Sequence, residues 1–112
     1  MPVTTRQTNG VTILDVSGAV TAGEGSGQLH GAVNNALKGG ATQILMNWNG
    51  CTHVDSSGIG EFIASHASVT NKGGTLKLAA LPPKVQTALN VTKLNNVVET
   101  HDTEDAGVAS FK

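Results

Sequence analysis

One cysteine, few aromatic residues and almost no net charge leave this chain without several common devices. Cys51 has no second cysteine to pair with, so an internal disulfide is excluded. Trp48, Phe62 and Phe111 are the whole aromatic complement, and tyrosine is absent. The core must therefore be aliphatic, and single-stranded nucleic acid finds no stacking platform. Seven Lys plus Arg against eight Asp plus Glu give a formal charge of −1, so no field draws in DNA, RNA or anionic lipid. The longest apolar run, Leu78 to Leu81, is far short of the ~20 residues of a membrane-spanning helix. No hydrophobic segment of signal-peptide length follows the N-terminal residues Met1 to Arg6. The expectation is a soluble cytoplasmic protein with no nucleic-acid partner and no membrane insertion.

What is present is the composition of a globular domain: 112 residues, 38% apolar and 13% charged. No internal repeat, charge block or linker divides the chain, so one domain over residues 1–112 is expected. Asn9-Gly10 between two β-prone runs predicts a hairpin, with strands over about 3–7 and 11–17. The first is polar enough for a sheet edge. Leu29, Val33, Ala36 and Leu37 recur at helical spacing, predicting a helix over about 28–38 that Gly39-Gly40 ends. Gln43 to Trp48 carries apolar residues on both faces, as a covered central strand does. Asn49 to Ser56 reads as a polar loop.

A second helix follows, with Ile59, Phe62, Ile63, His66, Ala67 and Thr70 as its inner stripe. Thr75 to Ala79 reads as a strand, and Pro83 opens a short helix carrying Val85, Leu89 and Thr92. Val97 to Thr100 reads as a last strand. Asp102 or Thr103 caps a final helix with Ala106, Ala109 and Phe111 turned inward. The result is an α/β fold: an N-terminal β-hairpin and a mixed, mostly parallel sheet of four to five strands with four helices.

Reactive chemistry finds little support. The glycine-dense loop at residues 23–27 lacks the third glycine of a dinucleotide site, because Gln28 stands there, and no Gly-Lys-Ser/Thr occurs for a phosphate loop. Cys51 and His53 with the scattered His30, His66 and His101 fall short of a zinc ligand set. His66 reads as packed or half-exposed, and His101 as solvated. No Gly-x-Ser-x-Gly elbow surrounds Ser56 or Ser57. Nothing forces Asp55 and Glu61 together as an acid–base pair. No metal, cofactor or catalytic residue is expected.

The segment Val54-Asp55-Ser56-Ser57-Gly58-Ile59-Gly60 stands apart. A serine or aspartate here caps a helix, which accounts for one polar residue. It does not account for two serines and two glycines, when each interior glycine costs about 1 kcal/mol relative to alanine. Small residues around a hydroxyl also make a bare surface that a partner or kinase can approach. The residues alone leave cap and docking surface both open.

Asp55-Ser56-Ser57-Gly58-Ile59-Gly60, with Ile44-Leu45-Met46 and the eight-residue step from Asn47 to Asp55, resembles the STAS domains (sulfate transporter and anti-sigma factor antagonist), in particular the bacterial anti-sigma factor antagonists. Gly73 to Leu78, Pro82 to Val85, Leu89 and Leu94 extend the likeness over essentially the whole chain. The resemblance implies a partner-switching regulator of transcription. Ser57 would be phosphorylated by an anti-sigma factor serine kinase of histidine-kinase-like fold, which binds the unmodified form, and a cognate phosphatase would reset it. It implies a partner surface of Thr21, Gly23, Asp55, Ser56, Ser57, Gly58 and Glu61, with the second helix's exposed side, on a monomer or weak dimer. Thr21 and Asn47 stand where the family often carries Asp, and Glu61 where it is more often apolar. The alternative is a non-phosphorylated interaction module in a stress-signalling scaffold or lipid-transport complex.

Overall fold

A computed structural model describes residues 3–21 and 27–111. Strands β1 (Val3–Thr8) and β2 (Val11–Val20) form the antiparallel hairpin. Asn9 and Gly10 turn it with φ of 51° and 80°, the left-handed pair a tight hairpin needs. Helix α1 (Gln28–Lys38), strand β3 (Gln43–Val54), helix α2 (Ser56–Asn71), strand β4 (Thr75–Ala79) and helix α3 (Pro83–Val91) follow. A 3-10 turn (Leu94–Asn96), strand β5 (Thr100–His101) and helix α4 (Glu104–Ala109) complete the described chain.

The five-stranded sheet keeps chain order, β1-β2-β3-β4-β5, and β2 to β5 run parallel. Parallel crossovers of one hand between neighbouring strands put their helices on one face. Accordingly α1, α2 and α3 pack Leu29, Val33, Ile59, Phe62, Val85 and Leu89 onto Leu14, Ile44, Met46 and Leu78. Helix α4 covers the opposite face, where Val108 and Phe111 meet Val11, Ile13, Leu45 and Ala79. The polar β1 lies at the sheet edge, and β3 is covered on both sides, as its sequence predicts.

Four sequence expectations need correction. The segment from Asn49 is no loop: β3 continues to Val54, paired with Ser17 to Val20 of a longer β2. Beyond Asn47 it has lost β4 as a neighbour, since β4 ends opposite that residue. Its side chains at Asn49, Thr52 and His53 are exposed, which hides the strand from any apolar pattern.

The buried stripe of α2 is Gly58, Ile59, Phe62, Ser65 and Val69, while Ile63 is 49% exposed and Ala67 and Thr70 face solvent. Ser65 tolerates full burial because its hydroxyl donates to the Glu61 carbonyl at 2.8 Å. The last strand is Thr100–His101 rather than 97–100. Lys93 at φ 62° and the 3-10 turn delay it, so that buried Val98 plugs the core and Val97 points out. In α4 the inward residues are Gly107 and Val108, not Ala106 and Ala109. A Cβ on Gly107 would stand 2.8 Å from Leu45 Cδ1, so glycine lets this short helix lie close on β3.

Candidate functional site

The C-terminal ends of β2 and β3 lie side by side, with Val20 opposite Val54. One residue further, Thr21 and Asp55 sit half-buried where both strands leave the sheet. The Asp55 N–H donates to the Val20 carbonyl at 3.3 Å, which stitches the start of α2 to the end of β2. Asp55 is the N-cap, its Oδ1 accepting the Gly58 N–H at 3.0 Å. That satisfies one of the amides a helix leaves unpaired in its first turn.

Ser56 and Ser57 occupy the first two helical positions and are both exposed. Gly58 turns inward: a Cβ there would stand 2.2 Å from the Val20 carbonyl oxygen and 2.6 Å from Val54 Cγ2. Its missing side chain is what lets the serines sit tight against the strand ends. Gly60, in contrast, has nothing within 4 Å of an added Cβ and is exposed. With Ile63 and Ala67 it forms an uncharged, solvent-facing ridge running along α2 from the two serines.

Glu61 is half-buried and points toward α1, where its Oε1 accepts the His30 backbone N–H at 3.4 Å. Gly23 lies outside the described residues. Asn47 is not a neighbour of Ser57. It sits seven residues before Val54 on β3, about 20 Å by the rise of a strand. There its amide donates to Glu104 Oε1 at 2.9 Å. Sequence reasoning missed that cluster: Arg6 grips Asp15 through Nε at 2.6 Å and Nη2 at 2.8 Å, and Glu104 through Nη2. Arg6 and Asn47 hold the Glu104 carboxyl below its usual range, Arg6 more strongly. The four residues tie β1, β2, β3 and α4 together on the face away from Ser57's helix.

Other residues of chemical interest go elsewhere. Cys51 is buried and its thiol donates to the His53 carbonyl, while His53 is exposed. Burial pushes the Cys51 thiol up. His66 is half-exposed beside Phe62, with ring centroids 6.3 Å apart. His101 is not solvated as expected: it is half-buried in β5, with Nε2 2.6 Å from Glu99 Oε2. Lys77 and His101 together hold Glu99 down at about 2, Lys77 contributing more. Trp48 is 2% exposed, so its ring cannot touch a partner directly.

The STAS domain family matches residues 2–107 of this sequence. The chain belongs to that family. Among solved structures, a candidate anti-sigma factor antagonist of Thermotoga maritima superposes with a TM-score of 0.88 at 21% identity, covering 96% of this chain and 92% of that one. Phosphorylated SpoIIAA, a Bacillus cell-fate determinant, gives 0.76 at 18% identity, covering 99% of this STAS chain and 100% of its own. A sulfate transporter family protein of Wolinella succinogenes gives 0.80 at 18% identity, covering 92% and 85%. At these identities the likeness is one of fold. Comparison by sequence with curated proteins gives no match.

Proposed function

We propose that this STAS domain is an anti-sigma factor antagonist, a cytoplasmic partner-switching regulator and not an enzyme, with Ser57 as its phosphoacceptor. The observation that carries the reading is the exposed Ser57 hydroxyl at the second position of α2, on a helix start already capped by Asp55. The likeness to SpoIIAA, solved in its phosphorylated form, supports it. In the step envisaged, Ser57 Oγ attacks the γ-phosphorus of a nucleoside triphosphate held by the kinase. The new O–P bond replaces the bond to the β-phosphate, the diphosphate leaves, and the hydroxyl proton passes to a base on the kinase.

A phosphate adds about −1.5 to −2 charge. At a helix N-terminus the unpaired amides and the dipole favour an anion, so the fold tolerates it. The cost falls on the interface, where the partner must desolvate that charge beside Asp55. A loss of about 3 kcal/mol there weakens binding roughly a hundredfold. The partner surface in this reading is Thr21, Gly23, Asp55, Ser56, Ser57 and the Gly60–Ile63–Ala67 ridge. Gly58 and Glu61 belong to its support, since both turn toward the protein.

Two measurements test the reading. Intact mass of the protein from its native cell should carry one phosphate, lost in Ser57→Ala. Toward the cognate kinase, encoded beside it in the genome on this reading, Ser57→Asp should bind about a hundredfold more weakly than wild type and Ser57→Ala equally well. Equal binding by all three would sink the phosphoswitch. It would favour the second reading, a constitutive STAS interaction module in a transport or scaffold complex. Thr21 in place of an acidic residue and the likeness to a sulfate transporter family protein favour that second reading.

A further inference from the structure

Helix α1 starts without a cap of its own. Gly27 precedes it at φ 81° with no side-chain hydrogen bond, and its first turn holds no acidic residue. The unpaired amides of a helix start need an acceptor, and here the acceptor comes from another helix, as Glu61 Oε1 takes the His30 N–H. The other carboxylate oxygen, Oε2, is shielded from solvent and has no hydrogen-bond partner among the described residues. No cation among them pairs with Glu61. The same turn of α1 is fastened a second time, by His30 Nε2 to Ser68 Oγ at 3.0 Å. Among the described residues Glu61 thus rests on one long hydrogen bond and the α1 dipole, with its second oxygen uncompensated by them.

Ser57 and Glu61 are four residues apart on α2, neighbours on one flank with Cβ atoms about 5–6 Å apart. A like charge at that spacing repels, and the half-buried side of the pair is little screened. We propose that Glu61 is a positioning residue that couples the charge on Ser57 to the first turn of α1. With Ser57 unmodified, Glu61 caps α1 from across the helix interface. With an anion on Ser57, the carboxylate is driven off and that turn loosens. The inference rests on Ser57 being the phosphoacceptor, and it extends the switch from a surface charge to a neighbouring helix.

The test uses the isolated full chain, with no kinase present, so it can fail separately from the binding experiment above. Amide hydrogen exchange at Gly31, Ala32 and Val33 is followed by NMR in Ser57→Asp and in its neutral counterpart Ser57→Asn, each with and without Glu61→Gln. With Glu61 in place, Ser57→Asp should exchange about tenfold faster than Ser57→Asn. With Glu61→Gln the two should agree within about twofold. A merely structural Glu61 would change stability in both backgrounds alike and leave no such coupling. The His30 amide proton, which needs no Glu61 variant, should move upfield in Ser57→Asp. Equal rates in Ser57→Asp and Ser57→Asn with Glu61 present, or an unmoved His30 amide, overturns the proposal.

Discussion

Gly58 and Gly60 lie two residues apart in one helix, yet alanine should act on them in opposite directions. In a helix interior, alanine for glycine gains about 1 kcal/mol from propensity. At Gly60 nothing stands within 4 Å of the new methyl, so Gly60→Ala should keep most of that gain. At Gly58 the methyl meets a backbone oxygen at 2.2 Å and Val54 Cγ2 at 2.6 Å. The carbonyl of Val20 cannot rotate away cheaply, because it also accepts the Asp55 N–H. Overpacking costs about 1–3 kcal/mol, and losing that hydrogen bond about 1 kcal/mol more. Set against the propensity gain, Gly58→Ala should lose about 1–3 kcal/mol. For a domain of this size each kcal/mol moves the melting temperature by about 4 °C. Thermal and urea unfolding of the two variants should therefore show Gly58→Ala down by about 4–12 °C and Gly60→Ala up by about 2–4 °C. If Gly58→Ala melts at or above wild type, the close seating of α2 on the β2 end is wrong, and so is the placement of Ser57 derived from it.

Glu104→Gln should cost about 1 kcal/mol at neutral pH, an allowance already reduced for the half-exposed Arg6. Because the folded carboxyl titrates below its usual value of about 4.5, its stabilisation is complete above that value and fades as pH falls through the depressed one. The gap between variant and wild type in urea midpoints should narrow steadily as pH falls below the usual carboxylate value of about 4.5. An unchanged gap there would mean the ion pair is not its source. Ile63→Lys should leave the melting temperature within the range of about 0.5 kcal/mol expected of a surface change, yet weaken kinase binding at least tenfold. Unaltered affinity would remove the α2 ridge from the interface.

The alternation of strands and helices was legible because β3 carries apolar residues on both faces, while α1 and α3 carry clean stripes. The phase of α2 was not. Two of its buried positions are Gly58 and Ser65, which give no apolar signal, whereas Ile63 and Ala67 give one and face solvent. Val97 and Val98 likewise read as strand, but one plugs the core and the other points outward from a turn. The Asp-Ser-Ser-Gly start of α2 was visible as a motif. That Glu61 reaches His30, 31 residues away in sequence, was not, because a tertiary hydrogen bond leaves no periodicity. Asn47, where the family resemblance leads one to expect an acidic residue, lies within a β3 that runs on to Val54 and belongs to the Arg6–Glu104 cluster.

Two sides of one helix carry two different demands. The side of α2 formed by Gly58, Ile59, Phe62, Ser65 and Val69 is sealed against the sheet, and substitutions there act on folding. The side formed by Ser57, Gly60, Ile63 and Ala67 bears no charge and faces solvent, so it is free to answer to a partner. An anion arriving on Ser57 meets a helix dipole that welcomes it and a core that does not register it. Glu61 lies at the boundary between these sides, with its carbonyl holding Ser65 in the core and its carboxylate capping a neighbouring helix. A charge on Ser57 that leaves the α2 core intact can therefore still reach α1 through that carboxylate. A regulator of this construction changes its surface and one adjoining turn together while the sheet stays as it was.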